Sequence, residues 1–528
     1  MQAISTETVS RRNFLRLMGL GGAVVVGGPL LAACGSGTKS SNAASNAPVD
    51  ASGTLTMAYH LATNSLDPLR MTTGQFVTFM YPMYDTLLML DENADVAPML
   101  AKKWEYSADG TTLTLTLRDD VTFHDGTKFD ANAVKANIER VINTADSPVH
   151  SQLKTVQSVT VQDPTTAVIQ LASPDASLLG ILADRPGAML SPKALTDGTD
   201  LNTTDAGSGP YRLTKFAQGD QASYERYDDY WDETAAPSKT LLIKSVNDGQ
   251  ARLNGATAHT YDVSYLTPTQ FQAADKAGLK TAAKETLWYI QLAFNQRGPL
   301  ADQNVRLAIA HAIDRKTISE SIYFGQASPT SSMFPSWYWA ANKDLPADYY
   351  SFDPAKAKKY LSDSNLSDVS FELIFAAGSD PYPQFAEILQ AQLKAVGITL
   401  NPRAVDINQL ASEFAGGKTD CLIGGGGQMA DPSLVFETYF APNAYFNPSK
   451  TTAPDLADAI SRIRTTTDRD ARLQVINDAS KMVAERALCV PMVAPKVLFA
   501  YNGQRVSSYT PAALGAIMPT RGVGVLKG

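Results

Sequence analysis

Few residues in this 528-residue chain stand where side chains could do chemistry in concert. Its five histidines, His60, His124, His150, His259 and His311, are scattered singly along the sequence. No His-Glu-x-x-His, Cys-x-x-Cys or Gly-x-Ser-x-Gly pattern is present, so no zinc site or nucleophile elbow is written in one segment. "SEFAGGKT" (412–419) ends like a phosphate loop, but Ser412 occupies the place of its first glycine. No histidine and carboxylate cluster offers a metal shell, so neither a metal nor another cofactor is expected. A hydrolase would have to assemble carboxylates by folding, for instance Asp67 and Asp431 across a cleft. The most unusual stretch is "DCLIGGGGQMADPSLVF" (420–436), where an apolar run ends in four glycines. Four glycines cost backbone entropy and pack no side chain. They therefore either widen a pocket or let another backbone approach closely. Asp431, before Pro432, is placed to cap a turn or helix. Aromatic residues concentrate in "LWYIQLAFN" (287–295) and "SMFPSWYW" (332–339), as ligand platforms or as core.

Regular elements must carry these residues. "TTLTLTLR" (111–118) alternates strictly, with Leu113, Leu115 and Leu117 on one face of a half-buried strand. After a turn at Asp125-Gly126, Val134, Ile138, Val141 and Ile142 recur at helical spacing behind a cap at Asp130. "VTVQDPTTAVIQL" (159–171) is a hairpin about Asp163-Pro164. Residues 90–200 thus read as a small α+β unit. Later, "SFELIFAAG" (370–378), "QFAEILQAQLKAVG" (384–397) and "ITLNPRAV" (398–405) read as strand, helix and strand. That crossover implies a partly parallel sheet. Two amphipathic helices follow, near 454–464 and 469–486.

The chain is 44% hydrophobic and 19% charged, the balance of a protein with a real core. Its formal net charge is −8, which argues against nucleic acid as a partner. At the N-terminus Arg11 and Arg12 precede an apolar, glycine-rich stretch over 17–33, too short and interrupted for a stable membrane span. The twin arginine resembles the Tat export signal, and "LAAC" (31–34) resembles a lipobox in which Cys34 becomes the lipid-bearing first residue. Residues 35–53 are a polar tether of small residues. The competing reading is a retained single-pass anchor. Cys421 and Cys489 remain in the body, either as one disulfide or as two buried thiols.

Five blocks, in order, resemble the peptide/nickel-type (family 5) solute-binding proteins of ATP-binding-cassette importers. They are "DGTTLTLTLRDDVTFHDGTKFDANAVKANIERV" (109–141), "GSGPYRLTKFAQGDQASYERYDDYW" (207–231), "LAFNQRGPLADQNVRLAIAHAIDRKTI" (292–318), "FDPAKAKKYL" (352–361) and "VPMV" (490–493). The resemblance implies an α/β fold of the two-lobed, periplasmic-binding-protein-like kind (type II, cluster C), with an extra α+β subdomain inserted in lobe I. It places the signal at 1–33, the tether at 34–53, lobe I at 54–90, 200–294 and 494–528, the subdomain at 90–200 and lobe II at 295–493. The crossings near Phe294-Asn295 and Val490-Pro491 would act as hinges.

Function follows as an expectation from the same resemblance. The chain would be a monomeric receptor, not an enzyme, that closes on a small solute such as a peptide or saccharide. It would deliver the solute to a permease and its ATPase subunits, anchored outside the membrane through lipid on Cys34. A ligand-sensing lipoprotein without transport is the other binding reading. Peptide-binding members resemble one another in holding the α-amino group with an aspartate, and the position aligned with it here is Gln428. A glutamine carries no charge, which shifts the expected ligand toward a saccharide or modified peptide. The expected ligand-binding residues are His60, Trp288, Tyr289, Trp337, Tyr338, Gly426, Gln428 and Asp431.

Overall fold

The computed structural model describes residues 47–377 and 381–527; Arg11, Arg12 and Cys34 lie outside the described residues. Two mixed sheets form two lobes, joined by one strand common to both. In the first sheet Thr54–Tyr59 runs parallel to Thr240–Ser245 and to Val263–Leu266. Gln221–Arg226 and Tyr211–Ala217 extend it antiparallel. In the second sheet Ser370–Ala376 lies parallel to Thr399–Val405 and to Cys421–Gly426, and the latter pairs antiparallel with Tyr289–Phe294. The expected crossover is present: the helix Tyr382–Val396 joins the two parallel strands, buries Phe385, Leu389, Leu393 and Val396, and ends at Gly397 with φ +98°.

The long strand Cys489–Tyr501 belongs to both sheets. Its first half pairs with Tyr289–Phe294, and its second half lies between Val263–Leu266 and Lys280–Glu285. This corrects the expected crossings. Phe294 is opposite Cys421 and Val490 is opposite Leu292, both inside the second sheet. The chain changes sheets earlier, between Glu285, opposite Lys496, and Tyr289, opposite Gly426. On the long strand the change falls between Pro495, opposite Ala327, and Lys496. The Phe-Asn block marks the far end of a strand already committed to the second sheet.

A third, antiparallel sheet of Ala101–Tyr106, Thr112–Leu117, Thr166–Leu171 and Val156–Asp163 stands apart from the other two. Leu113, Leu115 and Leu117 are fully buried on its inner face, as their alternation requires, each stabilising by about 2 kcal/mol. The helix Ala131–Asn143 contributes Val134, Ile138 and Val141 to that core, and Asp130 caps it by accepting from the Asn132 and Ala133 amides. Such a cap contributes about 1 kcal/mol. The two late helices appear as Pro454–Thr465 and Arg469–Glu485. No helix among the described residues is long and apolar enough to cross a membrane.

Cys421 and Cys489 are both buried and free, on the two strands that flank Tyr289–Phe294. Two strand spacings put their Cα atoms roughly 10 Å apart, beyond the ~7 Å limit for a bridge. Burial pushes both thiols up. Peptide mass spectrometry after unfolding with iodoacetamide and no reductant should find both residues alkylated. A disulfide-linked pair of their peptides would contradict this register.

Candidate functional site

The glycine run completes the strand Cys421–Gly426, at the point where the chain passes from one sheet to the other. A Cβ on Gly425 would stand 2.2 Å from Trp288 Nε1, one on Gly426 2.5 Å from Tyr289 Cζ, and one on Gly427 1.8 Å from the Leu287 carbonyl oxygen. Those separations are far inside van der Waals contact. Three of the four glycines therefore admit the crossing segment 287–289, and the expected pocket widening does not explain them. Only Gly424 has free space, its nearest foreign atom being Leu422 Cγ at 3.9 Å.

The run then turns with Gly427 at φ +75° and Gln428 at φ +57°. This turn carries the Gln428 carboxamide over to the first half of the molecule. Its Oε1 accepts from Gln75 Nε2 at 3.5 Å, and Gly515 leaves it room, since a Cβ there would stand 2.6 Å from Gln428 Nε2. That Nε2 is itself buried without a partner. The contact crosses a cleft of about 740 Å³, bounded by residues 72–75, 151–154 and 181–185 on one side and by 427–446 on the other. Residues 514–517 close its floor. By contrast, a recess of about 440 Å³ beside Tyr439 and Arg486 is walled by residues 293–306 and 439–489, all on the second lobe's side.

Most charges bordering the cleft are closely paired. Glu437 meets Lys154 at 3.1 Å and Arg464 at 2.7 Å, and Arg464 reaches buried Asp175 at 2.6 Å. Asp184 lies 3.8 Å from Arg185. Arg185 Nη1 donates to the Met71 carbonyl at 2.5 Å, while its buried Nε has no hydrogen-bond acceptor.

A cleft bounded by two lobes agrees with what known proteins of similar sequence and shape are. Residues 95–447 match the family model of bacterial extracellular solute-binding proteins, family 5. The chain belongs to this family. Its members are the solute-binding proteins of ATP-binding-cassette importers. The chain is 28% identical to the glutathione-binding protein GsiB of Salmonella paratyphi A over 442 residues, covering 79% of this chain and 84% of that one. NikA from Brucella suis, solved in complex with Fe(III)-EDTA, superposes with a TM-score of 0.80 at 26% identity, over 90% of this chain and all of its own. DppA from Helicobacter pylori, in complex with the peptide STSA, shares the fold at a TM-score of 0.74 and 20% identity, over 90% and 98% of the two chains.

Of the residues expected to bind solute in this family 5 protein, the structure brings Gln428 to the cleft. Asp431 is instead a structural ion: it is 5% exposed, meets Arg472 through both oxygens at 2.8 and 2.5 Å, and caps the helix Pro432–Tyr439 through the Ser433 amide. Asp67 is likewise held by both Arg140 nitrogens, so neither member of the suggested hydrolytic pair is free. Tyr289 and Tyr338 are core residues, with Trp337 packed beside Tyr338. Gly426 lies beneath Tyr289, and Trp288 lines a separate recess of about 420 Å³ at the crossing. His60 stacks on Tyr265 at 4.1 Å, and burial lowers its pKa to about 3, so the ring is neutral at physiological pH. Its Nδ1 is buried without a hydrogen-bond partner, so the ring sits in the packed wall behind Tyr265. Gln75, Lys154, Arg185, Glu437 and Arg464 carried no signal in the sequence, because each owes its place to contacts made across the fold.

Removing one partner of a buried ion pair costs about 3–5 kcal/mol. Asp431→Asn should lower stability by that amount in urea unfolding while leaving solute affinity unchanged within twofold. A variant that unfolds like the parent but loses solute would make Asp431 a binding residue after all.

Proposed function

We propose that this chain is an extracytoplasmic receptor that captures a polar solute between its lobes and presents it to a permease driven by ATPase subunits. The observation that carries the reading is the contact between Gln428 and Gln75 across the 740 Å³ cleft. A solute seated there touches both lobes and favours the closed arrangement by its differential affinity for it. Residues 286–288 and 495–496, where the chain changes sheets, are the natural hinges. The permease reads the closed shape, and no bond in the solute changes. Export directed by Arg11 and Arg12, with lipid on Cys34, would hold the receptor beside its permease.

The chemistry of the wall narrows the solute. Of the cleft carboxylates, Glu437 is taken up by Lys154 and Arg464, and Asp184 stands 3.8 Å from Arg185; a buried ammonium would be costly unpaired. The buried unpartnered side-chain atoms of the cleft residues are all donors: Gln428 Nε2, Arg185 Nε and Arg464 Nε. At 3.8 Å the Asp184 contact is too long to satisfy Arg185 by a hydrogen bond. These donors, with an uncharged Gln428, favour an acceptor-rich solute, a saccharide or a modified peptide, over a peptide held by its free amino terminus.

Mass spectrometry of small molecules released on denaturing natively expressed protein should find such a compound. Gln428→Gly suits the positive φ and deletes the carboxamide. It should weaken binding of that compound about tenfold, the worth of one hydrogen bond of roughly 1.4 kcal/mol. Release of a peptide that binds less well once its amino terminus is acetylated would overturn the assignment of solute class.

A further inference from the structure

One aromatic side chain at the cleft is left uncovered. Tyr445 is 54% exposed and lines the 740 Å³ cleft. A lone exposed ring is ordinary on a protein surface, but this one lines the cleft and continues a packed aromatic row. Tyr445 meets Phe446 edge-on at 5.1 Å, Phe446 stacks on Tyr439 at 5.2 Å, and the Tyr439 hydroxyl donates to the Gly425 carbonyl at 2.9 Å. The aromatic row is thus anchored to the glycine strand at one end and finishes in the cleft at the other.

The loop that presents Tyr445 is itself tied down. The Phe446 amide donates to the Thr438 carbonyl at 3.1 Å. Asn447, 4% exposed, donates through Nδ2 to the carbonyl of Ala441 and to Thr452 Oγ1. These bonds fix the backbone that presents Tyr445, while its half-exposed ring has one aromatic neighbour, Phe446, edge-on.

We infer that Tyr445 is a stacking platform and that the captured solute presents a ring or planar face to it, alongside the acceptors that meet Gln428 and Arg185. This rests on the receptor reading above. An aromatic face accepts a sugar ring, an aromatic ring or a planar conjugated group by dispersion and π contacts. The same solute would therefore be amphipathic, polar at the donors and flat at the tyrosine. Tyr445 is a specificity residue in this scheme.

The test uses the full chain freed of bound compound, as parent, Tyr445→Trp and Tyr445→Ser. Probes are matched pairs that differ by one ring: S-benzylglutathione against glutathione, and N-acetyl-Ala-Ala-Phe-Ala against N-acetyl-tetraalanine. With at least one pair, the ring-bearing member should bind the parent at least fivefold more tightly by calorimetry. Tyr445→Ser should bring that ratio below two. The same probe should change the emission of Tyr445→Trp beyond any change seen in the parent, whose five native tryptophans serve as background. Because Tyr445 is exposed, both variants should melt with the parent, which separates a contact from a packing role. Equal affinities within every pair, or no differential emission with any ring-bearing probe, would overturn the inference. Closure by a ring-free probe in small-angle scattering, with Tyr445→Trp silent, would leave the receptor standing and remove the platform. Neither closure by any probe nor any released compound would overturn both.

Discussion

The backbone ladder of Cys489–Tyr501 is the constraint on which the molecule depends. One strand of 13 residues supplies hydrogen bonds to both sheets, so neither lobe has a complete ladder without it. A buried backbone donor or acceptor left unpaired is costly, and a shared strand satisfies both lobes with a single segment. The partner segment, residues 280–294, follows the same course and changes sheets beside it. Two adjacent crossings join the lobes side by side through paired backbone. The glycines of 425–427 belong to this junction, since they allow the crossing segment to lie directly on the strand.

From that junction the cleft and its electrostatics follow. The turn after the glycines carries Gln428 outward at a positive φ, and so its carboxamide, not a charge, meets the opposite lobe. The charges near it form a chain from Lys154 through Glu437 and Arg464 to Asp175 that ties the subdomain to the second lobe. The buried pair, Arg464 with Asp175, contributes little net stability, because desolvation offsets attraction, but losing one member is severe. Their consequence for function is subtractive. They take up Glu437 and leave donors unsatisfied, which is the basis of the solute class proposed above.

Much of the scaffold was legible from periodicity. The alternation of Leu113, Leu115 and Leu117, the Asp130 cap and the strand-helix-strand of 370–405 are local patterns that burial then confirmed, because each depends on neighbours within a few residues. The site was far less legible. Trp288, Tyr289, Trp337 and Tyr338 are aromatic residues whose spacing cannot distinguish a platform from a core, and packing placed Tyr289, Trp337 and Tyr338 in the core, with Trp288 at a different recess. Tyr445, by contrast, sits in an unremarkable loop sequence and is the ring left exposed at the cleft.

The sequence by itself determined the family, through ordered blocks spread over the body of the chain, together with the strand of Leu113, Leu115 and Leu117 and the capped helix of an α+β unit, and the absence of a charge at position 428. It also indicated Asp431 as a cap, since an Asp-Pro at a helix start has a local explanation. Tertiary structure alone decided where the chain changes sheets, why the glycines are glycines, and that Arg472 neutralises Asp431 across 41 residues. It also decided that Gln75, 353 residues from Gln428, shares its cleft. The division has one physical reason. Periodicity and caps are set by backbone geometry within a turn or two, whereas a site is a set of contacts between segments distant in sequence, and no single segment encodes its partner.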